Sequence, residues 1–294
     1  SAQYYRCGTM AVKKYFPKAE IIAVNYQAAP MGAAFIGNGN DMDNETLDFF
    51  HFGRVGAFDG VMMEDWVDGC DLGVGAENLA AEMMRAAARK HNSPLACYLV
   101  GGEAIRGEFY GFLMHGIKEI GLYLYGPISN IGPAWGEDPR ALKELAEVTR
   151  EVKKFEDAIA DGVIPPRKAA LLVATTSDYM QNRGIRFCGE RQTLYVALQH
   201  AYLPLDVVCE EDIVEDNILK NYDLLYVTDP QVREDAQRKI AEWVKTGGRL
   251  WACSSGMTIA TSLASSSASS GMRDISDQVT TKSRRPTSCA KPLE

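Results

Sequence analysis

A regular alternation of short apolar runs with helix-like segments constrains this chain more than any other feature. In the first half, "AEIIAVNY" (19–26), "FDGVMMEDW" (58–66), "PLACYLV" (94–100) and "IGLYLYG" (120–126) have the length and composition of strands. Between them "NETLDFFHFGRV" (44–55), opening on an Asn cap, "AENLAAEMMRAAARKH" (76–91) and "AIRGEFYGFLMHG" (104–116) carry apolar residues at helical spacing. Strands that lack polar alternation and are separated by single helices belong to parallel βαβ units covered on both faces. The alternation therefore predicts an α/β fold, either a doubly wound sheet or a (β/α)8 barrel. Residues 10–18 read as the end of a helix, and "PRALKELAEVTREVKKFEDAIADG" (139–162) as one long amphipathic helix closing the region.

Pro165 and Pro166 mark a boundary, after which the rhythm restarts in shorter units. "KAALLVAT" (168–175), "PLDVVCEEDI" (204–213), "YDLLYVTD" (222–229) and "GRLWACSS" (248–255) read as strands, with helices at "GERQTLYVALQHA" (189–201) and "DAQRKIAEWVKTG" (235–247). This block predicts a flavodoxin-like or amidotransferase-like open parallel sheet, cut short, and touching the first region through the 139–162 helix. From Met257 the chain is Ser-rich, lacks aromatic residues and has no sustained period, so residues 257–294 are expected to be disordered. A shifted reading frame would account for the change. With one permitted choice of codons from Ala260, dropping two bases turns the stretch into Asp-Glu-Ser-Arg-Glu-Phe-Leu-Gly-Ile-Ile-Arg-Asp, a helix-like continuation.

Composition narrows the function classes. A net charge of -8 with no basic cluster outside the tail argues against nucleic acid, whose binders gather Lys and Arg. No apolar run nears the ~20 residues that cross a bilayer, and the first residues are not a signal peptide, so no membrane partner is expected and a cytoplasmic location is. Seven scattered cysteines without CxxC spacing read as free thiols in a reducing compartment, with no metal and no cofactor called for.

In the order of these parts the chain resembles glycoside hydrolases of family 42, the β-galactosidases with a trimerisation domain. "IIAVNY" with its long following loop and "FDGVMMEDW" resemble the fifth and sixth barrel strands. "ACYLVGGE" and "LMHGIKEIGLYLYGP" resemble the seventh strand, its helix and the eighth strand. "KAALLVATTSDYM", "LPLDVVCEEDI", "YDLLYVTDP" and "IAEWVKTGGRLWACSSG" resemble the second, amidotransferase-like domain. The succession of elements over about residues 10–256, with Gly101-Gly102 ahead of the last strand, carries the likeness. It implies a C-terminal piece: strands five to eight of a (β/α)8 barrel over 1–162, then a truncated trimerisation-like domain over 166–256. It further implies a carbohydrate substrate of β-galactoside type, a retaining two-carboxylate mechanism, and a homo-trimeric full-length parent. The acid/base would fall ahead of Ser1, so the chain alone is expected to be inactive.

Catalytic groups of such barrels sit at the C-terminal ends of strands. Those ends supply Asn25, Tyr26 and Gln27; Glu64, Asp65 and Trp66; Gly101, Gly102 and Glu103; then Tyr125 and, later, Trp135. Carboxylates protonate the leaving oxygen or attack the anomeric carbon, and flat rings stack on sugars. The resemblance makes Glu103 the candidate nucleophile, although it follows the family's position by one or two residues; the alternative is a loop carboxylate. Glu64 and Asp65 either line the pocket or serve as a cap or ion pair. Asn25, Tyr26, Trp66, Tyr125 and Trp135 are substrate-binding candidates, the tryptophans as sugar platforms or as ordinary packing. His115 reads as a packed helix residue and Glu210, Glu211 and Asp212 as a solvated strand end. Cys253 ends a strand where amidotransferases of this fold place their nucleophile, but Trp251 and Ser255 stand where flanking glycines would be. A non-catalytic carbohydrate-binding or assembly protein with a degenerate barrel site is the rival reading.

Overall fold

The computed structural model describes residues 2–25, 48–64, 74–100, 105–123, 139–180, 187–253 and 279–281. Four parallel strands make the first sheet in sequence order: β1 (Ile22–Asn25), β2 (Gly60–Glu64), β3 (Leu95–Val100) and β4 (Glu119–Tyr123). Helix α1 (Ala2–Tyr15) precedes β1, and α2 (Phe49–Arg54), α3 (Val74–Ala88) and α4 (Ile105–Met114) connect successive strands. The cap of α2 is Asp48, whose carboxylate accepts the His51 N–H at 2.8 Å, rather than the expected Asn44.

After β4 the expected single helix is two, α5 (Pro139–Val152) and α6 (Glu156–Ala160), parted by a turn at Lys153–Phe155. The second sheet follows: β5 (Ala169–Leu172), α7 (Thr175–Met180), α8 (Phe187–His200), β6 (Leu205–Val208), α9 (Glu210–Val214), β7 (Leu224–Val227), α10 (Glu234–Lys245), β8 (Arg249–Ala252) and β9 (Val279–Thr281). Its strands are all parallel, in the order β6-β5-β7-β8-β9. Strand β9 lies where an unstructured tail was expected; the rest of 254–294 is outside the described residues.

Helix α3 organises the interior. Leu79, Ala80, Ala81, Met83, Met84, Ala86, Ala87 and Ala88 are all buried, and a helix with buried apolar residues at consecutive positions has neighbours on more than one side. It packs on β2 and β3 at one side and on α8 and β6 at the other, so one core runs from Val61, Met63, Cys97 and Leu99 through α3 to Leu171, Val207 and Tyr195. The expectation that the 139–162 helix joins the two sheets is corrected: α5 packs on α4, and α3 makes the junction. Alanines permit that close approach. Gly53 of α2 shows how close: a Cβ there would stand 1.9 Å from the Ala87 carbonyl oxygen.

The junction also holds buried charge. Glu82 of α3 is fully buried and meets Arg85 at 2.5 Å, Arg167 at 2.6 Å and His115 Nδ1. Arg85 continues to Asp206, which accepts from the Tyr222 hydroxyl at 2.8 Å. Burial alone would push the Glu82 carboxyl up; the bond from His115 and the charges of His115, Arg85 and Arg167 outweigh it and draw it down to about 2. A second set ties α2 and α3 to α9: Arg54 meets Asp212 at 2.8 Å, Glu215 at 2.6 Å and Asp216 at 2.6 Å, while Arg89 meets Asp212 at 2.8 Å. His115 is a packed residue as expected, 6% exposed.

Candidate active site

In a parallel sheet all strands end on the same rim, and that rim is where ligands of α/β folds sit. Strands β1 to β4 end at Asn25, Glu64, Val100 and Tyr123. The ladder brings these ends together: Asn25 pairs with Met63, one residue before Glu64; Glu64 pairs with Tyr98; Val100 pairs with Tyr123. With neighbouring strands ~4.8 Å apart, the backbones of Asn25 and Glu64 are adjacent on this rim. Tyr26, Asp65, Trp66, Glu103, Tyr125 and Trp135 lie outside the described residues, as do Gln27, Gly101 and Gly102 and the side chains of Asn25 and Glu64. Their segments leave from the same rim: 26–47 after β1, 65–73 after β2, 101–104 after β3 and 124–138 after β4.

The two faces of this sheet differ. Val61, Met63, Cys97 and Leu99 are buried beneath the helices, whereas Met62 and Tyr98, one position along, are half-buried on the opposite face. Gly121 shares that face and leaves room for the Tyr98 ring, which a Cβ at 121 would meet at 3.2 Å. Tyr98, level with Glu64 in the ladder, is a site candidate that the strand-end rule overlooks. Its signal was in the sequence: residues two apart on a strand share a face, and Tyr98 lies two before the strand's last residue.

The second sheet has its own rim, and its acids are already bonded. Glu210 accepts from Thr176 N–H at 3.0 Å, the Thr176 hydroxyl at 2.8 Å and the Arg233 N–H at 2.5 Å. Glu210 and Asp212 are 1% and 3% exposed, which corrects the reading of 210–212 as a solvated strand end. The residues belong to the first turn of α9, where carboxylates meet unpaired N–H groups: Asp212 accepts from Cys209 N–H at 3.2 Å. Asp229 is fully buried, accepts from Ala174 N–H at 2.8 Å and pairs with Arg191 at 2.6 Å. Burial pushes its carboxyl up, against the pull of Arg191 and the Ala174 N–H. Cys253, after β8, donates its thiol to Glu190 at 3.0 Å. Reactive thiols sit beside cations, not carboxylates, so this contact does not make a nucleophile.

No helix among the described residues is long and apolar enough to cross a membrane. No protein-family model matches the chain, and no curated protein matches it. Among solved structures it is similar to the Exo-beta-1,4-mannosidase Op5Man5 from Opitutaceae bacterium strain TAV5, with a TM-score of 0.54 and 12% sequence identity over 86% of this chain and 50% of that one. The chain thus spans half the length of that structure. At this identity the likeness is one of fold alone, an α/β fold with parallel sheets, and it does not single out family 42.

Proposed function

We propose that this chain is the C-terminal part of a glycoside hydrolase-like protein that acts on β-linked sugars of galactoside type by a retaining, two-carboxylate mechanism. In this reading β1 to β4 are strands five to eight of a (β/α)8 barrel. The second sheet is a flavodoxin-like, trimerisation-type domain, in keeping with its strand order. The observation that carries the proposal is the rim of the first sheet. Four parallel strands there release the segments bearing Asn25 and Tyr26, Glu64, Asp65 and Trp66, Glu103, and Tyr125 and Trp135, in a chain whose fold is similar to a mannosidase. A retaining glycosidase needs two carboxyls about 5 Å apart, one to attack the anomeric carbon and one to protonate the leaving oxygen and then activate water. Glu103 is assigned the attack, Glu64 and Asp65 polar contacts beside it, and the aromatic residues the sugar faces.

Chromogenic β-galactosides and β-mannosides test this against the full-length protein, with Glu103→Gln, Glu64→Gln and Asp65→Asn as variants. The expected result is galactoside hydrolysis abolished by Glu103→Gln and weakened by the other two. Mannoside hydrolysis alone would replace the substrate assignment. Hydrolysis that survives all three substitutions would refute the site. Sugar binding without hydrolysis by the full-length protein would favour a degenerate, carbohydrate-binding barrel. Sedimentation of the same protein reads the trimer.

A further inference from the structure

On the side of the sheets opposite their C-terminal rims lies a hollow of about 410 Å³, within the range of small-molecule sites, about 300–1,000 Å³. Its lining comes from just ahead of three strands: Gly116 and Lys118 lead into β4, residues 162–167 into β5 and Pro204 into β6. Most of the wall is apolar, with Leu113 and Met114 from the end of α4, Ile159 from α6, and Ile164, Pro165 and Pro204. The ring of a proline fixes its φ, so the proline part of this wall is set before any ligand arrives.

Two cations line the hollow and no carboxylate does. Arg167 has a side chain only 11% exposed, and its Nη1 meets Glu82 at 2.6 Å and donates to the Leu205 carbonyl. A guanidinium has five N–H groups in a fixed fork, and those on Nε and Nη2 have no acceptor among the described residues. Lys118 donates to the Ala160 carbonyl at 2.6 Å and the Gly162 carbonyl at 3.1 Å, which leaves one of its three N–H groups over. Glu82 and Asp206 offset Arg85 and Arg167, so Lys118, bonded to carbonyls alone, is the unbalanced charge here. Helix ends repel anions, and α4 and α6 both end at this wall. Lys118 answers that by taking up the Ala160 carbonyl, the last of α6. We propose that the hollow binds a small monocarboxylic acid with an apolar body. The Nε and Nη2 edge of Arg167 takes the carboxylate in a two-bond fork, Lys118 balances its charge, and the apolar body lies on the Ile164, Pro165 and Leu113 wall. This site is separate from the rim assigned to sugar and stands without that assignment.

Titration calorimetry on the 294-residue chain with octanoate, octanol, octylamine and acetate tests the proposal. NMR of methyl-labelled methionines locates the ligand, with the Met114 signal assigned through Met114→Leu. Octanoate should bind at one site, at least about tenfold tighter than the other three compounds, and shift the Met114 methyl. Arg167→Lys keeps a charge against Glu82 but has no second edge, and should weaken octanoate about tenfold. Lys118→Gln should do likewise; Lys118 is exposed and bonds only carbonyls, so this variant keeps the test open if Arg167→Lys does not fold. Octanol bound as tightly as octanoate overturns the proposal in favour of a plain apolar hollow, and acetate bound as tightly overturns the need for an apolar body. Octanoate that leaves Met114 unshifted, binds Lys118→Gln unchanged, or binds no tighter than about 1 mM overturns it outright.

Discussion

The two sheets share one grammar, parallel strands each followed by a helix, and differ in how they finish their C-terminal rims. After β5 the chain needs only Val173 and Ala174 to start α7, and after β6 only Cys209 to start α9. The acids on that rim, Glu210 after β6 and Asp229 after β7, accept backbone N–H groups of neighbouring segments and fasten the rim. On the first sheet 26–47, 65–73, 101–104 and 124–138 separate each strand from the next described helix, and they lie outside the described residues. A carboxylate at a strand end is not a site by position alone. What surrounds it decides: on the second rim the protein itself supplies the donors to Glu210, whose buried carboxylate is not presented to a substrate.

That contrast breaks first at Asp229. If the second rim is structural, Asp229→Ala strips buried Arg191 of the carboxylate at 2.6 Å and releases the Ala174 N–H, and should cost about 3–5 kcal/mol in urea unfolding. A loss under about 1 kcal/mol would mean the pair is dispensable and the rim is available for another role.

The junction between the sheets gives the next largest effect. Glu82 has its carboxyl drawn from 4.5 to about 2 in the folded protein, so its contribution is complete above pH 4.5 and fades as pH falls toward 2. The full contribution is about 3 kcal/mol. Unfolding free energy should thus decline across that window, and Glu82→Gln should flatten the decline while lowering stability at neutral pH. Because Glu82 faces Arg85, His115 and Arg167 from α3, the α4 end and the start of the second sheet, both sheets should unfold in one transition. Two separate transitions would show that the junction does not couple them.

Glu210→Gln is a finer probe of the same rim. The amide keeps an oxygen for the Thr176 N–H and hydroxyl but turns its NH2 toward the Arg233 N–H, leaving donor against donor. The expected cost is about 2 kcal/mol, as for a lost bond to a charged group.

Much of this arrangement was legible. Apolar runs of strand length and helices spaced at three and four residues are local signals, and they located every strand of the first sheet and β5 to β8 of the second. The partners of charges were not, since Glu210 beside "LDVV" reads like any acid at the end of a run, and only the tertiary approach of Thr176 and Arg233 reveals its role. The break of 139–162 at Lys153–Phe155 carries no Pro or Gly to announce it. The junction was assigned to the wrong helix because amphipathicity made 139–162 conspicuous. The helix that joins the sheets is α3, whose apolar run Leu79–Ala81, Met83–Met84 and Ala86–Ala88, broader than one amphipathic stripe, is the signature of a helix with neighbours on two sides. At the candidate site, position along the strands was legible through the rim rule, while Tyr98 needed the pairing register.

The smallest effect is the most informative about the first rim. Glu64 ends β2, level with Tyr98 and adjacent to Asn25, and the proposal gives its carboxylate to substrate rather than to the fold. Glu64→Gln keeps shape and hydrogen-bonding capacity and removes only charge. A carboxylate that fastens loops, like Glu210, would register this loss at about 2 kcal/mol. One reserved for a ligand should register it within about 0.5 kcal/mol, the range of substitutions that break no structural bond. Equilibrium unfolding of Glu64→Gln and Glu210→Gln side by side reads the difference directly. If the two lose equal stability, Glu64 belongs with the structural acids of the second sheet, and the first rim has no better claim to chemistry than the second.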